Sequence, residues 1–289
     1  MRVLINKLPI TQIKVFLARI LYKIVHLMYR DSRRVVKRNG IIYDIDLSEG
    51  IELSLFLFGN YQKHIYQNKY TVLSEDSIVF DIGANVGVMT LQFAKLVPLG
   101  KVYSFEPTHY AFSKLKRNLE LNPELAERVI AVQSFVSDEV TTEPDITAYA
   151  SWKVDGAAEE ESNRVHGGSL KSTEGIGAVS LDYFSEKNEI KRLDFIKIDT
   201  DGHEIEVLQG AKSIIKELNP PIIFEAGLYI IEGRNLSFLD YCKFFNAMQY
   251  SLFNSSNMKK IDEHNYRKHI PQKGTIDILA VPNWRVNGS

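Results

Sequence analysis

Among 289 residues there is one cysteine, Cys242, so no internal disulfide can form and nothing points to an oxidising compartment. No histidine pattern beside it suggests a thiol nucleophile. A Gly-Lys-Ser or Gly-Lys-Thr after a glycine-rich stretch is missing, which argues against a phosphate loop for ATP or GTP. An excess of charge is missing as well. Lys and Arg number 35 against 36 Asp and Glu, a net charge of −1, which leaves nothing to meet a nucleic-acid backbone. There is no internal repeat. The 45% hydrophobic and 25% charged content suits one large α/β domain with an extension, expected in the cytoplasm.

What is present begins at Ile78-Val79-Phe80, an apolar strand that ends on Asp81 and breaks into a turn carrying Gly83, Asn85 and Gly87. Val88 to Val97 follow with helical spacing. A dinucleotide fingerprint wants glycine at the first, third and sixth turn positions, here Gly83, Asn85 and Val88. Two of the three fail, so NAD and FAD are not expected. The pattern Asp-x-Gly-x-Asn-x-Gly instead resembles the first motif of S-adenosylmethionine-dependent methyltransferases. Lys101 to Phe105 reads as the second strand and ends on Glu106-Pro107, where a carboxylate can accept both ribose hydroxyls. Val129 to Val136 reads as the third and ends on Ser137-Asp138, an acid placed to meet the adenine amino group.

Strands at Phe195 to Thr200, Pro221 to Ala226, Tyr250 to Phe253 and Thr275 to Pro282 complete a doubly wound, mostly parallel seven-stranded sheet. Single helices are expected over Ile205 to Leu218 and Asn235 to Met248. Residues 1 to 38 hold ten basic residues against Asp31 alone, with Ile13, Phe16, Leu17, Ile20, Leu21, Ile24, Leu27 and Met28 at helical intervals. That predicts an amphipathic helical extension, with Lys14, Arg19 and Lys23 breaking every run long enough for a membrane span or signal core. It would either lie on an anionic membrane surface, at the inner face, or pack on the domain or on a second subunit. Residues 39 to 77 read as a cap of one strand and a helix over Ile51 to Tyr70, and residues 78 to 289 as the main domain. Within that domain 141 to 178 are rich in Gly, Ser and Thr and predict a loop insertion over the site rim, with Trp152 and His166 as substrate contacts.

The chemistry concentrates at Asp199-Thr-Asp201-Gly-His203-Glu204, where the fourth strand ends. An alcohol resembles water, whose pKa is about 15.7, and is a poor nucleophile unaided, so a base or a metal ion is expected. His203 suits the first role, its ordinary pKa being about 6.5, with Asp199 or Asp201 orienting it. Asp199, Asp201 and Glu225, at the end of strand five, suit the second by offering oxygen ligands to Mg²⁺. Capping of the helix that starts near Glu204 is the plainer role for Asp201 and His203.

Asp81-Ile-Gly-Ala-Asn-Val-Gly87, Phe105-Glu-Pro107, Phe195 through Glu204, Val207-Leu-Gln-Gly-Ala211 and Pro221-Ile-Ile-Phe-Glu225 together resemble the FkbM family of methyltransferases. The similarity runs from Ile78 to Pro282. It implies a class I, Rossmann-like methyltransferase that moves the methyl group of S-adenosylmethionine to a saccharide hydroxyl of a natural product or surface glycan. Asp81, Gly83, Asn85, Gly87, Glu106 and Asp138 would surround the cofactor. The chain departs from the family at Asp201 and at Gln62 of Gly59-Asn-Tyr-Gln62, where Glu is usual. Two other readings stand beside this one: a membrane-peripheral binding or scaffold protein that keeps the fold, and methylation of nitrogen.

Overall fold

The structure, a computed structural model, describes residues 11–59, 62–144, 146, 149–150, 154 and 169–288. The chain opens with helix α1 (Thr11–Met28), strands β1 (Arg33–Arg38) and β2 (Ile41–Asp46), helix α2 (Gly50–Phe58) and a 3-10 turn at Lys63–Ile65. Strands and helices then alternate through β3 (Ile78–Ile82), α3 (Val88–Leu96), β4 (Lys101–Phe105), α4 (His109–Glu120), α5 (Pro123–Ala126) and β5 (Val129–Val132). Four two-residue strands follow: β6 (Phe135–Val136), β7 (Tyr149–Ala150), β8 (Ser169–Leu170) and β9 (Ala178–Val179). After α6 (Leu181–Lys187) come β10 (Phe195–Ile198), α7 (Glu204–Gln209), α8 (Lys212–Leu218), β11 (Ile222–Ala226), α9 (Leu228–Gly233) and α10 (Phe238–Ala247). The chain closes on β12 (Tyr250–Asn254), β13 (Lys260–Ile261), α11 (Tyr266–His269), β14 (Ile276–Pro282) and α12 (Asn283–Asn287).

The main sheet has the order β13-β12-β14-β11-β10-β3-β4-β5. Its central strands β5, β4, β3, β10 and β11 run parallel, and β14 is antiparallel to both neighbours. Both faces are covered, so these strands are apolar on both sides. Phe80, Ile82, Ile196, Ile198, Ile222 and Phe224 enter one core, while Val79, Phe195 and Ile223 enter the other. The chain leaves β3 toward β5 and returns to β10 on β3's other side. This switch leaves a crevice at the carboxyl ends of β3 and β10.

Several expectations change in detail. The sheet has an eighth strand, the edge pair Lys260–Ile261. Residues 33 to 38, assigned to the helical extension from sequence, form β1 instead, because Asn39 (φ 50°) and Gly40 (φ 80°) close a two-residue hairpin. Two successive left-handed residues match the strand twist, which favours Asn-Gly. The helix expected over Ile51 to Tyr70 ends at Phe58, where Gly59 (φ 70°) turns the backbone left-handed. A break at Gly210 and Ala211 divides the helix expected over 205 to 218 into α7 and α8. The third strand stops at Val132, and Phe135–Val136 leaves the sheet to pair with Ala178–Val179. Part of the 141 to 178 insertion is a two-stranded ribbon, β7 with β8, and Val154 is buried against the cap, its N–H donating to Ser48 O at 2.7 Å. No described helix is long and apolar enough to cross a membrane.

One helix face joins the cap to the sheet domain. Lys114, Asn118 and Asn122 recur every four residues along and just beyond α4 and so share a face. The Asn122 amide accepts from Ile42 N at 2.9 Å and donates to Ile42 O at 2.6 Å, and Asn118 accepts from Asp44 N at 2.8 Å. Two side-chain amides thus pair with the free edge of β2, as a further strand would. Lys114 pairs with Glu52, whose burial raises its pKa to about 7 despite that cation. Asn118→Ala and Asn122→Ala should each lower stability by about 1–3 kcal/mol, because each leaves buried backbone groups unpaired. Urea titration followed by circular dichroism measures this, and unaltered midpoints would mean the amides do not hold the cap.

Candidate active site

Three left-handed residues at alternate positions shape the turn after β3: Gly83 (φ 72°), Asn85 (φ 50°) and Gly87 (φ 84°). Asparagine tolerates this region because its short side chain bonds locally, and here Asn85 Oδ1 accepts from Val86 N at 2.8 Å. Gly83 has a steric reason too. A Cβ there would lie 1.8 Å from Asp199 O, so only glycine lets the β3 and β10 loops approach.

Beneath the turn lies Lys197 of β10, 4% exposed. Its ammonium stands 3.3 Å from Asp81 Oδ1 and 3.5 Å from Asp199 Oδ2, and donates to Gly83 O at 2.9 Å. Asp81 also accepts from Thr90 Oγ1 at 2.6 Å. Burial would lower the lysine pKa, but Asp199 and Asp81 outweigh it and hold the value above the ordinary one. Asp199 is pushed upward by burial, an effect that Lys197 opposes and Asp277 reinforces.

Glu106, at the end of β4, is buried. It accepts from Asn85 N at 2.9 Å through Oε2, and from Thr108 N at 3.0 Å and Thr108 Oγ1 at 2.6 Å through Oε1. Oε2, with one donor, has a lone pair left for a further donor. Burial raises its pKa, against these hydrogen bonds. The loop after β10 is braced by Glu204, whose Oε1 accepts from Thr200 N at 3.0 Å, Thr200 Oγ1 at 3.1 Å and Gly202 N at 3.1 Å. Glu204, the first residue of α7, thus ties down the loop before the helix and does not cap it. His203 occupies the N-cap position of α7 with no side-chain capping bond, and no described residue hydrogen-bonds its ring. Burial, then the nearby Arg234 guanidinium, lower its pKa, with Glu206 opposing. Arg234 is itself fixed by a bidentate pair with Glu206 at 2.8 and 2.9 Å.

These elements line one cleft, open at its mouth. Gly83, Glu106, Asp199, Thr200, Asp201 and His203 supply its polar lining, and Ile82, Phe105, Pro107, Phe135, Val136 and Ile146 its apolar wall. Crowding by protein atoms, then the carboxylates of Asp199, Glu204 and Glu106, raise Asp201 to about 8. Its accessible face at the mouth lets water moderate the first of these.

A family model described as the methyltransferase FkbM domain matches residues 81–252, more than half of the chain. The chain belongs to the FkbM family of S-adenosylmethionine-dependent methyltransferases. It is 27% identical over 176 residues to methyltransferase sdnD of Sordaria araneosa, covering 53% of this chain and 67% of that protein. To hexuronic acid methyltransferase AglP of Haloferax volcanii it is 26% identical over 149 residues, covering 52% and 56%. The matches thus span between about half and two thirds of these relatives' lengths. A crystal structure of methyltransferase FkbM from Methylobacillus flagellatus aligns with a TM-score of 0.46 at 15% identity, covering 72% of this chain and 44% of that one.

Of the residues singled out from sequence in this FkbM member, Gly83, Glu106, Asp199, Asp201 and His203 meet at one cleft. Asp81, Asn85 and Gly87 sit behind it, where they shape the turn. Asp138 is exposed, bonded to the Ser137 hydroxyl at 3.1 Å and absent from the lining. The cause is the early end of β5 at Val132, which presents Ser134, Phe135 and Val136 to the cleft instead. Glu225 accepts from Thr275 Oγ1 at 2.7 Å and does not line the cleft, and its pKa is driven far up by burial and by Asp199, Asp277 and Asp201. Among the described residues no group of three or more His, Cys, Asp or Glu is arranged to hold a metal ion, so the Mg²⁺ reading for Asp199, Asp201 and Glu225 lacks support. Trp152 and His166 lie outside the described residues. Thr200 and the Phe135-Val136 wall went unremarked in the sequence, although the apolar pair stands directly beyond the third strand. Lys197→Met should cost about 3–5 kcal/mol by leaving Asp81 buried without its cation. Asp81→Asn added to it should restore part of the loss, and thermal melts showing no restoration would place the cost in packing instead.

Proposed function

We propose that this protein transfers the methyl group of S-adenosylmethionine to a hydroxyl of a saccharide, with His203 as the general base. The observation that carries the reading is a ring with no hydrogen-bond partner among the described residues, kept neutral by burial and Arg234, on the lining of the cleft that holds Glu106 and the Gly83 turn. The donor set fits the cofactor. Buried Glu106 has acceptor capacity for a ribose, the Phe105, Pro107, Phe135 and Val136 wall suits a flat base, and Asp199 and Asp201 offer negative potential to a sulfonium or ammonium. When bound, S-adenosylmethionine would supply an electrophilic methyl group on positively charged sulfur. The residues of the chain would do the rest. The walls would hold the acceptor oxygen in line, and the His203 ring nitrogen would take the hydroxyl proton as the new C–O bond forms. The saccharide assignment draws support from the likeness to a hexuronic acid methyltransferase, and oxygen rather than nitrogen from the need for a base that a free amine lacks.

Calorimetry should detect binding of S-adenosylmethionine and of its demethylated product. Glu106→Ala should weaken both by about ten- to a hundredfold through lost hydrogen bonds to a charged acceptor; an absence of binding to the unaltered protein would defeat the cofactor assignment. A proton-accepting His203 must be neutral. Since its pKa is lowered from the ordinary value of about 6.5, activity should be full at neutral pH and fall only as pH drops below that value. His203→Ala should reduce turnover by about 10²–10⁴-fold, with cofactor affinity nearly unchanged and the acid limb of the pH profile lost. Unaltered turnover would rule His203 out as the base.

A further inference from the structure

Helix α1 carries two apolar faces, and the fold covers one. Val25 is buried in a cluster with Ile41, Tyr43, Leu53 and Leu55 of the cap, and Ala18 and Tyr22 pack against the same cluster. Roughly 160° round the helix stand Ile20, Ile24 and Leu27, with Met28 next to them. These remain open, Ile24 at 52%, Leu27 at 85% and Met28 at 71% exposed. Arg19 and Lys23, both exposed, border this second stripe on one side. Arg30, Arg33 and Lys37 continue the exposed positive charge into the loop and hairpin, and α1 contains no acid.

We propose that this face docks the enzyme on an anionic phospholipid surface, with Ile20, Ile24, Leu27 and Met28 entering the interfacial layer and the cations meeting lipid headgroups. Charge complementarity selects this occupant. A second copy related by two-fold symmetry would set the same patch against itself, bringing the flanking cations of both copies together. A protein interface core is depleted in lysine, whereas helices that lie on membranes pair an apolar stripe with Lys and Arg. The spacing favours lying flat rather than crossing. The inference goes beyond the proposed reaction and does not depend on the acceptor.

The test is co-sedimentation of the full chain with vesicles of phosphatidylcholine, alone or with about 30% phosphatidylserine, at low and high salt. Binding should require the anionic lipid and fall with salt. Ile24→Glu with Leu27→Glu should weaken it at least about tenfold by removing the apolar anchor. Arg19→Ala with Lys23→Ala should weaken it by about ten- to thirtyfold, as each cation near such a surface counts about fivefold. Circular dichroism should confirm that the variants stay folded. Undiminished binding by the folded variants would overturn the proposal. So would no binding to anionic vesicles by the unaltered chain, and a dimer in sedimentation velocity, lost on Ile24→Glu, would then assign the face to a second copy.

Discussion

The site depends on one buried cation. Lys197 stands on β10, but its ammonium serves both sides of the switch: it faces Asp81 of β3, holds the Gly83 carbonyl just beyond that strand and reaches Asp199 just beyond its own. A charge this deep is tolerable only when paired and hydrogen-bonded, and here carboxylates and carbonyls do both. The two strands on either side of the topological switch are thereby locked at their carboxyl ends, where the cleft opens. The Gly83 backbone fits against Asp199 O only because no side chain stands between them. Electrostatics pulls the loops together and the missing Cβ lets them close.

From that lock the chemistry divides between atoms that build and atoms that remain available. Asp81, Asn85, Gly87 and Glu204 are each tied to neighbouring protein groups, which gives the turns a fixed shape before any ligand arrives. Glu106 is partly committed and lines the cleft with acceptor capacity left on Oε2. The His203 ring has no hydrogen-bond partner among the described residues. Preorganised loops with an uncommitted histidine suit a reaction whose catalysis rests on position.

How much of this the sequence disclosed depends on whether a feature is local. The Gly-x-Asn-x-Gly run could be read because left-handed backbone is a property of single residues, and the alternation at 83, 85 and 87 survives in the structure. The strand-end acids were readable where the strand ends were. Asp81 and Glu106 follow apolar runs that stop cleanly, but Val129 to Val136 contains neither Gly nor Pro, so nothing local marks the bend at Gln133 and Ser134 that moves Asp138 off the site. The Asn39-Gly40 hairpin carried its own signal and was masked by basic residues on both sides. Lys197 has the side-chain parity of Asp199, but sequence gives no account of which partner such a cation meets across a sheet.

The carboxylates themselves set a bound on the chemistry. Burial raises the proton affinity of Asp199, Asp201, Glu204 and Glu225, neighbouring carboxylates raise it further, and Lys197 is the cation that opposes this at Asp199 and Asp201. Full ionisation of such a group is costly, which favours its protonated forms. A protonated carboxyl donates a hydrogen bond where a carboxylate only accepts. The same wall would therefore offer donors to an acceptor's oxygens and negative potential to a cationic donor group. His203 lies on the other side of this balance, for Arg234 is fixed beside it by Glu206 and disfavours the imidazolium. Acids whose proton affinity is raised and a histidine whose proton affinity is lowered sit on a single loop from 199 to 204, and both shifts follow first from burial, which disfavours any charged form, and then from the charged side chains each residue faces.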